Sequence, residues 1–305
     1  MRIGVVRNPR SHANRLSEDP GPRPPGLAWA EPDAPGDLPV HLKRFASQGV
    51  ERLIIDGGDG TVREVLGALP AAYGDAWPVL TVVPSGKTNI LALDLGAKRG
   101  WRLDAALERV GAEDWVPTLR TPIEVSWAGG GRPSVRGFLV GLGAFVKATE
   151  MAQEVHRAGA FHGLAIALTL GGAIFGTLCG GPRSPWRRGE ALALSLDGGP
   201  SHEGERFVVL ATTLERLPLG LAPFGRRRPG FKILDVDAPP RSLHTALPRL
   251  LSGRGDAWLA RRGYRRSDAA ELRLVTDQPL VIDGEVFPGG DIRLRRGDPV
   301  RFFAP

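Results

Sequence analysis

Three short stretches of this sequence carry residue types that could hold phosphate or move a proton. The first is Asp56-Gly57-Gly58-Asp59-Gly60-Thr61, set between an apolar run at 52–55 and a helical spacing that begins at Thr61. Glycines in such a turn let the backbone approach a ligand closely and aim bare N–H groups at it. The helix that follows adds a field at its N-terminus that favours phosphate. Thr61 can cap that helix and offer its hydroxyl to a phosphate oxygen. The second stretch, Val83-Pro84-Ser85-Gly86-Lys87-Thr88-Asn89, also leads from an apolar strand into a helix. Its Gly86-Lys87-Thr88 matches the end of a P-loop, but that loop needs a glycine five positions before Gly86. Thr81 stands there, inside the strand, so the turn is not a P-loop. The third stretch, Asp283-Gly284-Glu285, taken alone is an ordinary hairpin turn.

Together these stretches resemble the catalytic family of the diacylglycerol kinases. Gly57-Gly58-Asp59-Gly60-Thr61 is similar to its signature, which NAD kinases and phosphofructokinases share more loosely. The second turn looks like the family's Pro-x-Gly-Thr-x-Asn-Asp. Pro84, Gly86 and Asn89 match, as do Ala92 and Leu95-Gly96 further on, while Lys87 replaces a threonine and Ile90 an aspartate. Asn8-Pro9 resembles the family's Asn-Pro-x-Ser-Gly opening, with His12 in the place of glycine. Phe138-Leu139-Val140-Gly141-Leu142-Gly143 is similar to the stretch leading into the second domain's helix, and Asp283-Gly284-Glu285 looks like the family's Asp-Gly-Glu.

The resemblance implies an ATP-dependent lipid kinase that phosphorylates a hydroxyl of diacylglycerol or a related lipid. It implies nucleotide binding at Asn8, Gly57, Gly58, Asp59, Gly60, Thr61, Glu64, Gly86, Lys87 and Asn89, with Lys87 able to meet a phosphate as a point charge. Glu285 is implied as the general base that takes the proton of the lipid hydroxyl, a role that suits a carboxylate near the γ-phosphate. Mg2+ is expected with ATP, because β- and γ-phosphate charge must be neutralised, and Asp59 is a candidate to help hold it. The family's structural metal stretch, Asp-Gly-x-Leu-Asp, corresponds to Pro229-Gly230-Phe231-Lys232-Ile233-Leu234-Asp235. There proline takes the first aspartate's place and a lysine intrudes, so the metal ligands stay unassigned. Two other readings stay open. One is an NAD kinase-like enzyme, which shares the first turn. The other is a catalytically degenerate nucleotide- or lipid-binding protein, favoured by Lys87, Ile90, Arg63 and Pro229.

The elements that must position these residues follow from periodicity. Residues 3–6 and 52–55 read as buried strands, 38–48 as a helix ended by Gly49, and 79–83 as another strand. Val62, Val65, Leu66 and Leu69 share one helical face, and further helices are expected over 88–95 and 103–110. The Pro/Gly-rich stretch 19–36 reads as an irregular loop. Strand, turn and helix repeated in this way predict an α/β domain with a largely parallel sheet. Beyond about Trp115 short strands dominate, at 123–127, 135–140, 191–196, 207–212, 271–275, 280–282, 292–294 and 300–303. Glycine, proline and charged turns separate them, which predicts an antiparallel sandwich or barrel. The expected plan is an α/β nucleotide-binding domain over 1–118 and a β-sandwich lipid-substrate domain over 119–305, whose last strand is free to return to the first.

Composition narrows the partners. The chain has 305 residues and a net charge of +7, but its lysines are Lys43, Lys87, Lys98, Lys147 and Lys232, so the basic charge is almost all arginine. Arginines cluster at 226–228 and at Arg261, Arg262, Arg265 and Arg266, as solvated turns or as a membrane-facing surface. No interleaving of aromatics with these clusters points to nucleic acid. Cys179 is the one cysteine, which excludes an intramolecular disulfide and fits a reducing compartment. The six histidines are scattered, without metal-ligand spacing, and the opening residues read as a strand with no signal-peptide pattern. No Asp, Glu, Lys or Arg occurs between Arg157 and Arg183, and Gly172, Gly176 and Gly180 fall four apart. A buried or membrane-touching helix is expected there rather than a spanning one. The expected setting is cytoplasmic, peripheral to the membrane, with a lipid substrate; a homodimer is kept open.

Overall fold

Leu53, Ile54 and Ile55 form a run with no polar face, as expected of a strand covered on both sides, and all three are fully buried. In the computed structural model, which describes residues 2–16, 25–98, 100–111, 116–157 and 187–303, they lie in the middle of a parallel sheet. The chain divides into two units, Met1–Pro122 with Gly297–Pro305, and Ile123–Arg296.

The first unit runs β1 (Arg2–Arg7), α1 (His12–Leu16), β2 (Ala28–Ala30), α2 (Leu38–Ser47), β3 (Val50–Gly57), α3 (Asp59–Tyr73), β4 (Val79–Pro84), α4 (Ile90–Asp94), α5 (Leu103–Val110) and β5 (Thr118–Arg120). Its sheet has the order β2-β1-β3-β4, then the chain's last strand Val300–Phe303, then β5. All neighbours are parallel except the last strand and β5. Helices cover both faces. Val5, Ile54 and Val83 pack with Ala106 and Val110 of α5. On the opposite face Gly4 sits so close to Phe45 of α2 that an added Cβ would stand 3.1 Å from the ring. β2 corrects the sequence reading of 19–36 as irregular throughout. Three residues suffice there because they need only extend an edge already laid down by β1.

The second unit runs β6 (Ile123–Trp127), β7 (Val135–Gly137), β8 (Leu139–Gly143), α6 (Ala144–Arg157), β9 (Glu190–Leu196), β10 (His202–Thr212), β11 (Lys232–Asp237), α7 (Leu243–Leu251), α8 (Asp256–Ala260), β12 (Tyr264–Asp268), β13 (Glu271–Thr276), β14 (Leu280–Ile282), β15 (Glu285–Phe287) and β16 (Gly290–Arg296). Every pairing in this unit is antiparallel, along the path β15-β14-β8-β10-β9-β13-β16-β6-β7, with β11 and β12 added beside β10. Its core is made by alternation: Val140 and Leu142, Leu192 and Leu194, Leu272 and Leu274, Leu280 and Ile282, and Ile292 and Leu294 all join one buried cluster. β10 pairs with β9 through residues 202–206 and with β8 through 208–212, so it changes neighbour midway. The protein is thus an α/β unit followed by an all-antiparallel, sandwich-type unit. The apolar segment 158–183 and Cys179 lie outside the described residues, and among those described no helix is long and apolar enough to cross a membrane.

The last strand, β17 (Val300–Phe303), sets Phe302 and Phe303 in the first unit's core, with Phe303 stacked on Trp101 at 6.3 Å between ring centroids. Phe302→Ala is expected to cost about 3–5 kcal/mol in urea unfolding. A cost below about 1 kcal/mol would mean that the strand is not needed for the core.

Candidate active site

The first turn is built where β3 stops and α3 starts. Gly58 is the N-cap of α3, in an extended conformation. The first intrahelical bond is Val62 N–H to Gly58 O at 3.1 Å. The N–H groups of Gly60 and Thr61 therefore precede the helical ladder and are left for an external acceptor. Thr61 is not the cap that its sequence position predicted, because the helix begins two residues earlier, at Asp59. Its Oγ1 instead accepts Asn8 Nδ2 at 3.0 Å, which ties the end of β1 to the helix.

The second turn lies directly against the first. A Cβ on Gly86 would stand 2.5 Å from Gly58 Cα, so at this crossing the two backbones touch and no side chain fits. Asn89 adopts the left-handed conformation, φ 52°, which asparagine tolerates better than most residues. Its side chain closes the turn, Oδ1 accepting Gly86 N–H at 2.8 Å and Nδ2 donating to Gly86 O at 2.9 Å. Asp59 reaches across, its carboxylate accepting Ile90 N–H at 3.1 Å and Leu91 N–H at 3.3 Å. It thus serves as the missing cap of α4. Burial pushes its carboxyl upward, opposed by these backbone hydrogen bonds. The expectation that Asp59 helps to hold Mg2+ meets an oxygen pair already committed to amides. Lys87 is exposed and pairs with no described residue. Glu64, one turn into α3, accepts Arg63 Nη2 at 2.9 Å.

Beneath both turns sits Asp56, which is buried. Its Oδ1 accepts the Ser85 hydroxyl, its Oδ2 accepts Arg7 Nε at 3.2 Å, and its main-chain O accepts Asn8 N–H at 2.9 Å. Asn14 Nδ2 bridges Asn8 O and Asp56 O at 3.0 and 3.4 Å. Arg7 reaches on to Glu31 at 3.4 Å. Lower down, the fully buried Asp94 of α4 is paired with Arg120 of β5. Sequence reasoning assigned no role to Arg7, Asn14, Ser85, Asp94 or Arg120. The available signal was a set of polar residues at the ends of apolar strands, where a buried polar group must find a partner.

Within the first unit the structure brings together Asn8, Gly57, Gly58, Asp59, Gly60, Thr61, Gly86 and Asn89; Glu285 belongs to the second unit. The Asp-Gly stretch there forms a two-residue hairpin between β14 and β15, with φ 47° at Asp283 and 86° at Gly284 and Ile282 opposite Glu285. Both central residues at positive φ define the tight turn whose twist suits a hairpin. Asp283 does more than turn: its carboxylate accepts the N–H groups of Phe138 and Leu139 at 2.9–3.0 Å, anchoring the turn to β8. Glu285 is left exposed as the first residue of β15.

The residues implied for a structural metal do not fit one. Lys232 is buried and its ammonium donates to Arg228 O at 2.9 Å and Gly230 O at 3.3 Å, so a cation of the chain's own occupies these carbonyls. Asp235 is engaged by Arg206 at 2.9 Å and Arg265 at 2.8 Å. Hydrogen bonding from Arg265 holds the neighbouring Asp237 carboxyl below its ordinary value. Among the described residues there is no cluster of three or more His, Cys, Asp or Glu suited to a metal ion.

Comparison with known proteins bears on the family and the fold. Residues 26–118 match the family model for the diacylglycerol kinase catalytic domain. Lipid kinase YegS of Escherichia coli (strain K12) is 37% identical over 81 residues, 27% of this chain and 26% of that protein. A Chromohalobacter salexigens protein named "Probable lipid kinase YegS-like" is 43% identical over 58 residues, 19% of each chain. The matched stretch spans about a quarter or less of these relatives' length. A crystal structure of a diacylglycerol kinase from Bacillus anthracis str. Sterne aligns over all of this chain and 97% of its own, with TM-score 0.62 and 15% identity. A further Bacillus anthracis structure gives TM-score 0.67 at 16% identity. The resemblance to the diacylglycerol kinase catalytic family is thus borne out over the stretch that holds both turns, and the fold of the whole chain is the fold of those structures.

Two predictions test the site's construction. Gly86→Ala forces apart two backbones and is expected to cost about 1–3 kcal/mol by urea unfolding; a neutral effect would refute the contact. Burial raises the Asp56 carboxyl above its ordinary 3.8, outweighing the hydrogen bonds from Ser85, Asn14 and Arg7. Folding therefore favours the protonated form. The stability this contributes is complete below 3.8 and is lost as pH rises through the elevated folded value. The cost of Asp56→Asn should therefore shrink as pH rises from 3.8 through the elevated folded value. A cost that grows with pH would make pairing with Arg7 the dominant effect.

Proposed function

We propose that the chain is an ATP-dependent lipid kinase that transfers the γ-phosphoryl group to a hydroxyl of diacylglycerol or a related lipid. The observation that carries this reading is the crossing of Gly58 and Gly86 at the start of α3, within the stretch that matches the catalytic domain. A pair of glycine turns beside uncommitted helix N–H groups is a phosphate cradle that any Cβ would fill.

In this reading the amides of Gly60 and Thr61 receive phosphate oxygens, and Lys87, exposed beside the second turn, adds a positive charge. Asn8 and Asn89 hold the two turns in shape. Asp59 keeps α4 in place and leaves metal binding to the nucleotide's own oxygens. Mg2+ arriving with ATP supplies charge neutralisation at the β- and γ-phosphates when bound. The acceptor oxygen forms a bond to the γ-phosphorus while the bond from that phosphorus to the β–γ bridging oxygen breaks, and ADP leaves. The hydroxyl proton passes to the Glu285 carboxylate. The work is done at a membrane surface, because the acceptor is a lipid.

The test is phosphoryl transfer from radiolabelled ATP and Mg2+ to hydroxyl-bearing lipids in mixed micelles, with NAD offered as a separate acceptor. Label is expected in an organic-extractable phospholipid. Glu285→Gln should lower turnover by about 10²–10⁴-fold while ATP binding stays unchanged. Label in NADP would overturn the lipid reading, and ATP binding without transfer to any acceptor would overturn the kinase reading. Unchanged turnover in Glu285→Gln would remove Glu285 from the chemistry.

A further inference from the structure

The arginines of the second unit fall into two populations. The first is structural. Arg228 is paired with Asp268 at 2.7 Å, and Arg265 is bound to Asp235 and Asp237. Arg266 pairs with Asp256, and its guanidinium also donates to Pro223 O and Leu250 O at 2.8 Å each. It therefore clamps the loop 215–228 onto α7 and α8. Ala222 N–H to Leu251 O at 2.8 Å repeats the tie. The turns that carry Arg226 and Arg254 are brought side by side, since a Cβ on Gly253 would stand 3.2 Å from the Gly225 carbonyl.

The second population has no such duty. Arg226, Arg254 and Arg261 are exposed, and none makes a hydrogen bond or ion pair through its side chain with a described residue. Arg249 and Arg262 lie over the ring of Trp258, at 4.8 and 3.8 Å from its centroid. Across residues 215–228 and 238–263 there are nine arginines against Glu215 and Asp256, and those two acids are already paired with Arg227 and Arg266. At the tip of the loop, in the short 3-10 turn Pro218–Gly220, Leu219 is held at φ 60° and ψ 14° and is 85% exposed. A leucine in the left-handed region costs about 1–2 kcal/mol. Here that cost leaves an apolar side chain facing outward on a loop that also carries Arg216, Arg226, Arg227 and Arg228.

We propose that this surface docks on an anionic lipid bilayer, with Leu219 entering the headgroup layer and Arg226, Arg254 and Arg261 meeting lipid phosphates. The proposal deepens the lipid-kinase reading and rests on it for why a bilayer is met. Arginine's planar donors match phosphate oxygens, and basic groups beside an inserted apolar side chain are the combination that holds peripheral proteins on anionic membranes. A nucleic acid fits less well. Trp258, the aromatic ring among these arginines, is covered by guanidinium groups instead of being offered to a base, and an exposed leucine has no partner on a phosphate backbone.

The experiment is flotation of the full chain with vesicles of phosphatidylcholine alone or mixed with phosphatidylglycerol. Binding is expected to the mixed vesicles and to fall with added salt. The triple variant Arg226→Glu, Arg254→Glu, Arg261→Glu should weaken it by at least about fivefold per arginine, and Leu219→Glu should weaken it too. Arg293→Glu, Arg295→Glu, Arg296→Glu makes the same charge change at exposed positions of β16 and should leave binding within about twofold if the effect is local. Thermal melts confirm that both variants fold. Equal binding by the first triple variant, equal loss in the second, or displacement from vesicles by an oligonucleotide would overturn the proposal. Binding needs no turnover, so a chain that docks but phosphorylates no lipid upholds this surface and overturns only the kinase reading.

Discussion

The first unit depends on one buried carboxylate. Asp56 ends the strand that feeds the first glycine turn, and a carboxylate in such a place is costly unless its oxygens are bonded. Its partners are drawn from three directions: Arg7 at the end of β1, Asn14 in α1, and Ser85 at the start of the second turn. Satisfying one polar group thus fixes three loop ends relative to one another. The backbone contact of Gly58 with Gly86 is a consequence of that convergence. Remove the carboxylate and the turns keep the ties from Asp59 to Ile90 and Leu91, but lose the one group that gathers Arg7, Asn14 and Ser85.

The second unit solves its problem differently. Its core is assembled by alternation alone, with apolar residues at every second position of its longer strands. Polar groups enter as fasteners at the rim: Asp283 ties a hairpin to β8, and Arg265 and Arg206 bind Asp235. Lys232 is the telling case. An ammonium surrounded by main-chain carbonyls does the work a metal ion could do, and it is supplied by the chain itself.

Most of this was legible where a residue type leaves little choice. Runs such as 53–55 and pairs such as Leu272 and Leu274 announce their strands by apolar period, and the glycine turns announce theirs by composition. β11 and β12 were missed because Lys232, Asp235, Arg265 and Arg266 break the alternation. Asp235 is satisfied by Arg265 across the two strands, Arg266 by Asp256 and Lys232 by the Arg228 and Gly230 carbonyls, partners that the apolar period does not register. α7 and α8 were missed for a related reason: proline inside α7 and glycine before α8 obscure short helices that are stabilised by packing more than by propensity. At the site, the identities of Asp59 and Thr61 were plain but their partners were not. Which amide a carboxylate caps is decided by the distance between two turns that stand some thirty residues apart in the chain.

The place of β17 bears on how the chain comes off the ribosome. The flank of β4 that it covers is made early, yet the strand that covers it follows the whole of 123–296. While that stretch is being synthesised, the parallel sheet has an open edge of unpaired N–H and C=O groups beside an incomplete core. The sandwich unit can close its own core in that interval, but the α/β unit cannot. Order of synthesis and order of completion are therefore inverted: the unit begun first is finished last, and a nascent chain is most prone to wrong pairing along β4.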